Sequence, residues 1–328
     1  MYFPKDKYVW DFWTVIRDHV CYLFHLQAPE TPDDPTLRHN QASVGLAVSS
    51  DLVHWENHGT VFQKGSPGSW DDLSIWTGTV TKGPDGRFYF LYTGRNAAEQ
   101  GRIQRIGVAV SEDLLHWKRF CAHPVMTADP RYYETCAAGS DYRWESWRDP
   151  FLYFCEEDQL WYAFITARRN QGFSQTRGCI AVAKSQDLIH WIILPPLDTP
   201  PVFADMEVPT VWQKDGCYYL TFASKDIWFG GSPEHAALAD QTGVFLYTSS
   251  SLLGPYTPAE TPVLLGSASG CYTNRVVRDI QGIDYLLTWH LFREDPTIFT
   301  GGIADPLLLN YATPSNLSCL PAENKIIL

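Results

Sequence analysis

The feature that most constrains the fold is a short segment that recurs along the chain. The sequence SSDLVHW at residues 49–55 returns as SEDLLHW at residues 111–117 and as SQDLIHW at residues 185–191. A degraded fourth copy, SSSLLGPY, occupies residues 249–256. The closing aromatic residues of successive copies are 62, 74 and 65 residues apart, and a short apolar run precedes each copy. Such periodicity indicates a repeat architecture in which each unit is one supersecondary structure.

A second repeat lies upstream of each of these segments and adds a fifth unit. Aromatic-rich runs that favour strands follow turn signals at residues 20–26, 87–92, 160–165, 217–222 and 283–289. One more strand precedes each turn, so five hairpins are predicted to begin near Trp10, Trp76, Trp147, Glu207 and Tyr272. Units of roughly 65 residues with about four short strands each predict an all-β fold, a five-bladed β-propeller with antiparallel blades. A β-sandwich would also supply short strands, but it does not account for five equivalent units.

The pattern indicates one domain, a single propeller over residues 1–328, because no Pro-, Gly- or Ser-rich linker interrupts the chain. Residues 300–328 are expected to complete the last blade, with no C-terminal β-sandwich after it. The sequence leaves open how the ring closes; one option is that residues 1–8 pair into the last blade.

Composition and charge exclude several classes of function. The chain has 37 acidic and 25 basic residues and a net charge of −12, which argues against a nucleic-acid-binding surface. No apolar run reaches the roughly 18–20 residues that a membrane helix needs, so no membrane span is expected. The eight cysteines show no C-x-x-C pair, so neither a disulfide framework nor a zinc site is predicted. With no signal segment at the N-terminus, a cytoplasmic location is expected, and no cofactor is predicted.

Superposition of the five hairpins places acidic residues at related positions of three innermost strands. Counted back from a tyrosine in the second strand, Asp11, Asp149 and Glu207 fall 11 to 13 residues upstream. Thr77 and Asn274 take this place in the other two hairpins. Three carboxylates aimed at one channel repel one another and raise the pKa of at least one, which suits glycoside hydrolysis because that reaction needs one protonated and one ionised carboxyl. The alternative is that each acid caps a strand or pairs with a local arginine.

These residues carry a family resemblance over nearly the whole chain. The sequence resembles the five-bladed propeller glycosidases of glycoside hydrolase families 32, 43 and 68, and it is most similar to the β-fructosidase-like family 32. The segment WRDP at residues 147–150 matches the Arg-Asp-Pro motif, the segment around Asp11 resembles the nucleophile segment, and residues 206–207 resemble the acid/base motif. The resemblance implies that Asp11 is the nucleophile and Glu207 the general acid and base. It also implies that Asp149 holds sugar hydroxyls and stabilises the transition state.

Further residues near the starts of the inner strands, or in segments that match the family, are candidate substrate contacts. Aromatic rings there can stack on a sugar, and the alternative is that they fill the core between blades. The candidates are Trp10, Trp13, Gln27, Asn40, Trp76, Thr77, Arg148, Asn274, Arg275 and His290. Arg148 is equally consistent with a structural ion pair, and His290 stands where family 43 has a central histidine that can sit beside a metal. No metal ligand is assigned, and His54, His116 and His190, which share one repeat position, are given no chemistry.

The favoured hypothesis is a retaining glycosidase that acts on β-fructofuranosides such as sucrose or fructo-oligosaccharides. The sequence departs from family 32 at Phe12, which follows the nucleophile, and at Val208, where the family usually has cysteine. The first alternative is therefore a family 43-like inverting arabinofuranosidase or xylosidase with Asp11 as the base. A fructosyl transferase and a catalytically silent sugar-binding propeller are the others. The expected partner is in each case a carbohydrate.

Overall fold

The computed structural model describes residues 1–138, 142–292, 295, 297–322 and 326–328. Within these residues, twenty strands form five antiparallel sheets of four strands each, in which every strand pairs with its neighbours in sequence. The prediction of an all-β, five-bladed propeller is thereby confirmed. The described part of the chain contains no helix long and apolar enough to cross a membrane.

The blades follow one another along the chain. Blade 1 contains β1 (Lys7–Arg17), β2 (Val20–Pro29), β3 (Ser43–Ser49) and β4 (Glu56–Phe62). Blade 2 contains β5 (Ser74–Lys82), β6 (Phe88–Arg95), β7 (Gln104–Ser111) and β8 (Lys118–Arg119). Blade 3 contains β9 (Trp147–Cys155), β10 (Leu160–Arg168), β11 (Gly178–Ser185) and β12 (Ile192–Leu194). Blade 4 contains β13 (Glu207–Lys214), β14 (Cys217–Ser224), β15 (Gly243–Ser249) and β16 (Thr257–Leu265). Blade 5 contains β17 (Cys271–Arg278), β18 (Asp284–His290), β19 (Leu307–Thr313) and β20 (Asn316–Pro321).

Helical structure is confined to short segments in the loops between strands. The one α-helical segment of the described residues, α1, spans Arg38–Gln41. The 3-10 segments are Pro35–Leu37, Cys136–Ala138, Ser174–Thr176, Asp226–Trp228, Pro233–Leu238 and Ser267–Ser269. Loops of this kind at one end of a rigid sheet scaffold are a common source of binding residues.

Burial decreases from the centre of each blade to its outer edge. Every residue of β6 is buried, because neighbouring blades cover both faces of this strand. In contrast, β4 is exposed at most of its positions. The core therefore lies between the blades, where apolar side chains of adjacent sheets pack face to face.

The recurring segment forms the turn between the third and fourth strands of a blade. Asp51 accepts a hydrogen bond from the backbone amide of His54 (2.8 Å) and contacts its Nδ1 atom (2.8 Å), and Trp55 donates its indole N–H to the backbone (3.1 Å). The copies at residues 111–117 and 185–191 repeat these bonds. Because the three imidazoles are between 84% and 87% exposed, they lie on the outer rim of the propeller.

The ring closes through contacts between the two ends of the chain. Tyr2 and Ile303 form an antiparallel bridge with backbone hydrogen bonds of 2.9 and 3.0 Å. His19 in the first hairpin turn lies 2.6 Å, through its Nδ1 atom, from the backbone oxygen of Leu328. The N-terminal residues thus pair beside the last blade, and β19 and β20 complete that blade as expected.

Candidate active site

Each of the five innermost strands carries one extra residue near its start, so that it bulges relative to its partner strand. The bulges contain Asp11, Thr77, Asp149 with Pro150, Val208 with Pro209, and Thr273. Asp149, Val208 and Thr273 adopt positive φ angles of 57°, 50° and 51°. A bulge re-aims the side chains around it, and repeated around a ring it turns them toward the same channel mouth.

The bulges correct the positions assigned to two of the predicted residues. Glu207 comes directly before its bulge and is equivalent to Trp10, Arg148 and their counterparts, not to Asp11. Asn274 comes directly after its bulge, and Thr273 takes the position that corresponds to Asp11. Counting back from a tyrosine missed this because the hairpin turns differ in length.

Seven of the predicted residues line one pocket of about 180 Å³ at this mouth of the channel. They are Trp10, Asp11, Trp76, Thr77, Arg148, Asp149 and Glu207. A larger depression of about 710 Å³ lies at the far end of the innermost strands, where Trp161, Trp212 and Asp284 contribute to its lining, and it contains none of the predicted site residues. The three carboxyl groups that were predicted to meet therefore share the smaller pocket.

Asp11 is held by two hydrogen-bond donors, one for each oxygen. The indole N–H of Trp289 donates to Oδ1 (3.0 Å), and the hydroxyl of Thr77 donates to Oδ2 (2.8 Å). Burial raises the pKa of Asp11 to about 6, and the negative charge of Glu207 adds to this effect. The two hydrogen bonds and the charge of Arg275 act in the opposite direction. Asp11 is thus a carboxyl that is fixed in orientation and that titrates near neutral pH.

Asp149 occupies the third bulge and is almost completely buried. Its Oδ2 accepts a hydrogen bond from Thr166 (3.0 Å), and its backbone N–H donates to the hydroxyl of Thr93 (2.9 Å). Burial raises the pKa of Asp149 to about 7 against the attraction of Arg148, and the charges of Asp11 and Glu207 contribute to the increase. Part of the Asp149 population therefore holds a proton at neutral pH.

Glu207 differs from both aspartates because positive charge surrounds it. Arg148 donates to Oε1 (2.8 Å), and the phenol of Tyr272 donates to Oε2 (2.6 Å). Burial alone would raise the pKa of Glu207, but Arg148, Lys225 and the Tyr272 hydrogen bond together hold it below its ordinary value. Of the three carboxyls, Glu207 is therefore the one whose ionised form the surroundings favour most.

Arg148 connects the site to a buried network, which fits both roles considered for it. Its guanidinium is 2% exposed and lies 3.2 Å from Asp205, 2.8 Å from Glu207 and 3.4 Å from Asp149. Asp205, which is fully buried, also accepts a hydrogen bond from the phenol of Tyr142 (2.6 Å). A buried arginine with this many acidic neighbours fixes their geometry.

Trp13, Gln27 and Asn40 do not line the pocket, so the structure does not bring these predicted substrate contacts together with the three carboxyls. Trp13 is 1% exposed and stacks on the rings of Phe24 and Phe90 at centroid distances of 6.2 and 5.1 Å, so it belongs to the core between blades. Gln27 donates to Thr60 (2.7 Å), away from the pocket. Asn40 is exposed, and its side chain accepts a hydrogen bond from Arg95 (3.0 Å).

Asn274, Arg275 and His290 also lie outside the pocket lining. The side chain of Asn274 is 1% exposed and turned away by the fifth bulge. Arg275 lies beneath the carboxyl groups and donates to the hydroxyl of Thr210 (2.7 Å). His290 lies 3.8 Å, through Nδ1, from the sulfur of Cys271. In the described part of the chain, no three His, Cys, Asp or Glu side chains are grouped to hold a metal ion.

Sequence reasoning missed several residues of the pocket wall. The additional lining residues are Leu26, Arg38, His39, Arg95, Arg143, Trp144, Lys225, Trp228, Tyr272, Trp289 and Leu291. A signal existed for Tyr272, because it begins the fifth predicted hairpin and is the counterpart of Glu207. Arg95 and Lys225 share one repeat position, two residues beyond the partners of Trp76 and Glu207, whereas Arg38 and Arg143 lie in connections between strands. The hairpin superposition compared only the innermost strands and therefore selected none of the four.

The propeller is closely similar to solved structures of an inulosucrase and a levansucrase. Inulosucrase from Halalkalicoccus jeotgali bound to kestose superimposes with a TM-score of 0.80 over 99% of this chain and 90% of that one, at 20% identity. Bacillus subtilis levansucrase superimposes with a TM-score of 0.75 over 98% of this chain and 88% of that one, at 16% identity. At these identities the similarity establishes the fold.

Curated relatives match shorter parts of the chain. Beta-fructofuranosidase 1 of Zea mays is 35% identical over 89 residues, which is 26% of this chain and 13% of that protein. Fructan 6-exohydrolase of Beta vulgaris is 24% identical over 172 residues, which is 52% of this chain and 26% of that protein. The chain thus spans less than a third of the length of these relatives.

The family model described as the glycosyl hydrolases family 32 N-terminal domain matches residues 19–207, more than half of the chain. The matched part contains Asp149 and ends at Glu207, and Asp11 lies just before it. Together with the five-bladed fold, this match shows that the chain belongs to glycoside hydrolase family 32.

Proposed function

We propose that this protein is a glycosidase that cleaves β-fructofuranosides of the sucrose or fructo-oligosaccharide type. The observation that carries the proposal is the convergence of Asp11, Asp149 and Glu207 on one pocket of about 180 Å³, which accommodates roughly one sugar ring. Membership in family 32 and the beta-fructofuranosidase names of the matched relatives support the choice of sugar.

The geometry suggests a role for each carboxyl in a retaining double displacement. Asp11 attacks the anomeric carbon, and its bonds to Trp289 and Thr77 hold both oxygens in a fixed plane for that attack. Glu207 donates a proton to the departing glycosidic oxygen as the bond to carbon breaks. A water then attacks the fructosyl ester, gives its proton to Glu207 and releases Asp11 as a carboxylate. Asp149 accepts hydrogen bonds from sugar hydroxyls and offsets the positive charge that develops on the ring.

The proton distribution in the pocket imposes a condition on this mechanism. The first step needs Asp11 ionised and Glu207 protonated, whereas burial raises the pKa of Asp11 and the positive charges of Arg148 and Lys225 hold that of Glu207 low. Glu207 therefore has to take up a proton, from the pocket or from solvent, before the glycosidic bond breaks. We infer that a bound substrate drives this uptake by changing the charges and hydrogen bonds around Glu207.

Turnover of a small substrate panel tests the proposal. Sucrose and an aryl β-fructofuranoside are incubated with the wild type and with Asp11→Asn and Glu207→Gln, with Asp284→Asn as a buried carboxyl control outside the pocket. We expect the wild type and Asp284→Asn to release fructose. The rate of release should be at least 10²-fold lower in Asp11→Asn and Glu207→Gln. Activity on arabino- or xylo-configured substrates alone would overturn the assignment.

The configuration of the first product tests the mechanism. Proton NMR during early turnover is expected to show β-fructofuranose, because two displacements restore the starting configuration. Appearance of the α anomer first would refute the role of Asp11 as nucleophile and make it a base. In the same assay, glucose released in excess of fructose would indicate transfer to a sugar acceptor in place of water.

A further inference from the structure

Four basic side chains line the pocket without an acidic partner among the described residues. Arg38 belongs to α1, Arg95 ends β6, Arg143 lies in the loop before β9, and Lys225 follows β14. None of the four has a carboxylate of a described residue within 4 Å, in contrast to Arg148, which has three. In a chain of net charge −12, this concentration of unpaired positive charge is a local feature of the pocket.

One of these side chains, Arg95, is buried, and Arg38 is half-buried. Arg95 is 7% exposed and donates only to neutral groups, including the backbone oxygen of His39 (2.9 Å) and the side chain of Asn40 (3.0 Å). Arg38 donates to the backbone oxygen of Pro35 (2.7 Å), and its buried Nε atom has no hydrogen-bond partner in the described part of the chain. Burial lowers the pKa of each guanidinium to about 10, so both stay charged at neutral pH.

Aromatic rings support the four cations. The guanidinium of Arg38 lies 3.7 Å from the ring centroid of Phe299, and that of Arg95 lies 4.1 Å from the centroid of Trp76. Arg143 and Lys225 lie 3.5 and 4.8 Å from the rings of Trp144 and Trp228. Cation–π contacts of this kind hold a charge in place without neutralising it.

The fields of the four cations overlap at His39. Burial lowers the pKa of His39 to about 3, and the positive charges of Arg38, Arg95, Lys225 and Arg143 all contribute to the decrease. His39 is thus a neutral residue in the middle of a positively charged wall. A wall with this much unpaired charge is poorly matched to a neutral sugar, whose hydroxyls need only neutral partners.

We propose that the natural substrate is a fructoside that carries an anionic group, a phosphate or a carboxylate, which these four side chains bind. This inference rests on the proposed function and specifies its substrate class. Arginine binds phosphate and carboxylate oxygens in pairs, and lysine supplies a mobile point charge. An anion placed here pairs with cations that have no carboxylate of a described residue within 4 Å.

The same anion drives the proton uptake that the mechanism requires. Lys225 is one of the charges that lower the pKa of Glu207. When a substrate anion pairs with Lys225, it offsets this charge and raises the pKa of Glu207, which then takes up a proton. The charged substrate thereby converts Glu207 from an ionised residue into a proton donor.

Steady-state kinetics with matched substrates tests the inference. The substrates are sucrose, sucrose phosphorylated on the glucosyl or on the fructosyl 6-hydroxyl, and sucrose oxidised to a carboxylate at glucosyl C6. We expect kcat/KM for at least one charged substrate to exceed that for sucrose by tenfold or more at low salt, and the preference to shrink as salt is added. Comparison of the three charged substrates also shows whether phosphate or carboxylate is preferred and which sugar unit carries it.

Two variants and a control locate the effect. Arg143 is exposed and Lys225 is only half-buried, so Arg143→Gln and Lys225→Gln are compatible with folding. Each is expected to lower the charged-to-neutral ratio of kcat/KM by at least fivefold. Lys82, an exposed residue at the far end of β5, provides the control Lys82→Gln with the same loss of charge and no change in the ratio.

The outcomes separate this inference from the proposed function. Turnover of sucrose without any preference for a charged substrate, or a ratio unaffected by both variants, overturns the inference and leaves the proposed function intact. Absence of turnover for all four compounds refutes the proposed function. Calorimetric titration of the same compounds into the wild type then decides the inference: tighter binding of a charged compound, weakened by Lys225→Gln, supports it, and equal affinities overturn it.

Discussion

The raised pKa of Asp11 predicts that replacing this residue makes the protein more stable at neutral pH. Asp11→Asn keeps the shape of the side chain and removes the ionisable group. The amide oxygen still accepts from Trp289, and the amide N–H₂ can donate to Thr77 once that hydroxyl rotates. The substitution therefore preserves both hydrogen bonds and removes a buried charge and its repulsion with Glu207.

The size of the effect follows from the pKa of the folded state. Burial raises the pKa of Asp11 from 3.8 to about 6. Between these values the folded protein holds a proton that the unfolded chain releases, so the stability of the wild type falls as pH rises through this window. The difference of about 2 pH units corresponds to about 3 kcal/mol above pH 6, at 1.36 kcal/mol per pH unit. Near pH 3.8 the two proteins should be equally stable.

Urea denaturation between pH 4 and pH 8 measures this difference. We expect the free energy of unfolding of Asp11→Asn to exceed that of the wild type by about 3 kcal/mol above pH 6, which corresponds to roughly 4 °C in Tm for a chain of this length. Asp284→Asn is the matched control, and the expected change in its free energy of unfolding has the opposite sign. Arg278 and Tyr311 stabilise ionised Asp284 and lower its pKa, so this variant should lose stability at neutral pH.

Equal stability of Asp11→Asn and wild type at every pH would contradict the reasoning, as would a loss of stability at pH 7. Either result would mean that the carboxylate is better compensated in the folded protein than its burial indicates. If Asp11→Asn is more stable than the wild type but no longer releases fructose, Asp11 is needed for activity and not for folding.

The remaining predictions concern three other positions. Arg275→Met removes a positive charge that lowers the pKa of Asp11, so the acid limb of the pH profile of kcat/KM should move to higher pH. Arg275→Lys, which keeps the charge, should shift this limb less. An acid limb that does not move in Arg275→Met would argue against an electrostatic role of Arg275. Trp13→Ala should lower the free energy of unfolding by about 3–5 kcal/mol in a denaturation experiment, because the ring fills the core. KM should stay within twofold of the wild-type value. A larger change in KM would indicate that Trp13 contacts the substrate. Gly78→Ala would place a methyl group against the backbone oxygen of Leu91, so we expect the free energy of unfolding to fall by about 3 kcal/mol in a thermal unfolding experiment. The control is Gly86→Ala, where the added carbon meets no neighbour within 4 Å and the expected decrease is about 1 kcal/mol. Similar decreases in the two variants would contradict this account.

The architecture was predictable because the repeat encodes a turn that depends on particular residues. Asp51 and His54 are needed for the hydrogen bonds that end one strand and begin the next, so the segment recurs wherever that turn recurs. The aromatic strands identify the buried second strand of each blade. Both signals are local in sequence, and periodic repetition converts them into a count of blades.

The composition of the site was predictable only in part, because the bulges carry no clear sequence signal. Trp10 and Trp13 are three residues apart in one strand, and the bulge at Asp11 between them determines that Trp10 lines the pocket and Trp13 enters the core. The basic wall was predictable from the repeat only in part, because Arg95 and Lys225 share a repeat position at the end of the second strand but Arg38 and Arg143 do not. Arg38 and Arg143 come from connections that each blade forms differently, and only the folded ring brings such connections together.

The bond between Asp11 and Trp289 also has a consequence for biosynthesis. These residues lie 278 positions apart, in the first and last blades that leave the ribosome. Until the fifth blade docks, Asp11 lacks one of its two donors and the pocket lacks one wall. Catalytic competence would therefore arise in a single late event, and the time at which activity appears during synthesis would report the moment of ring closure.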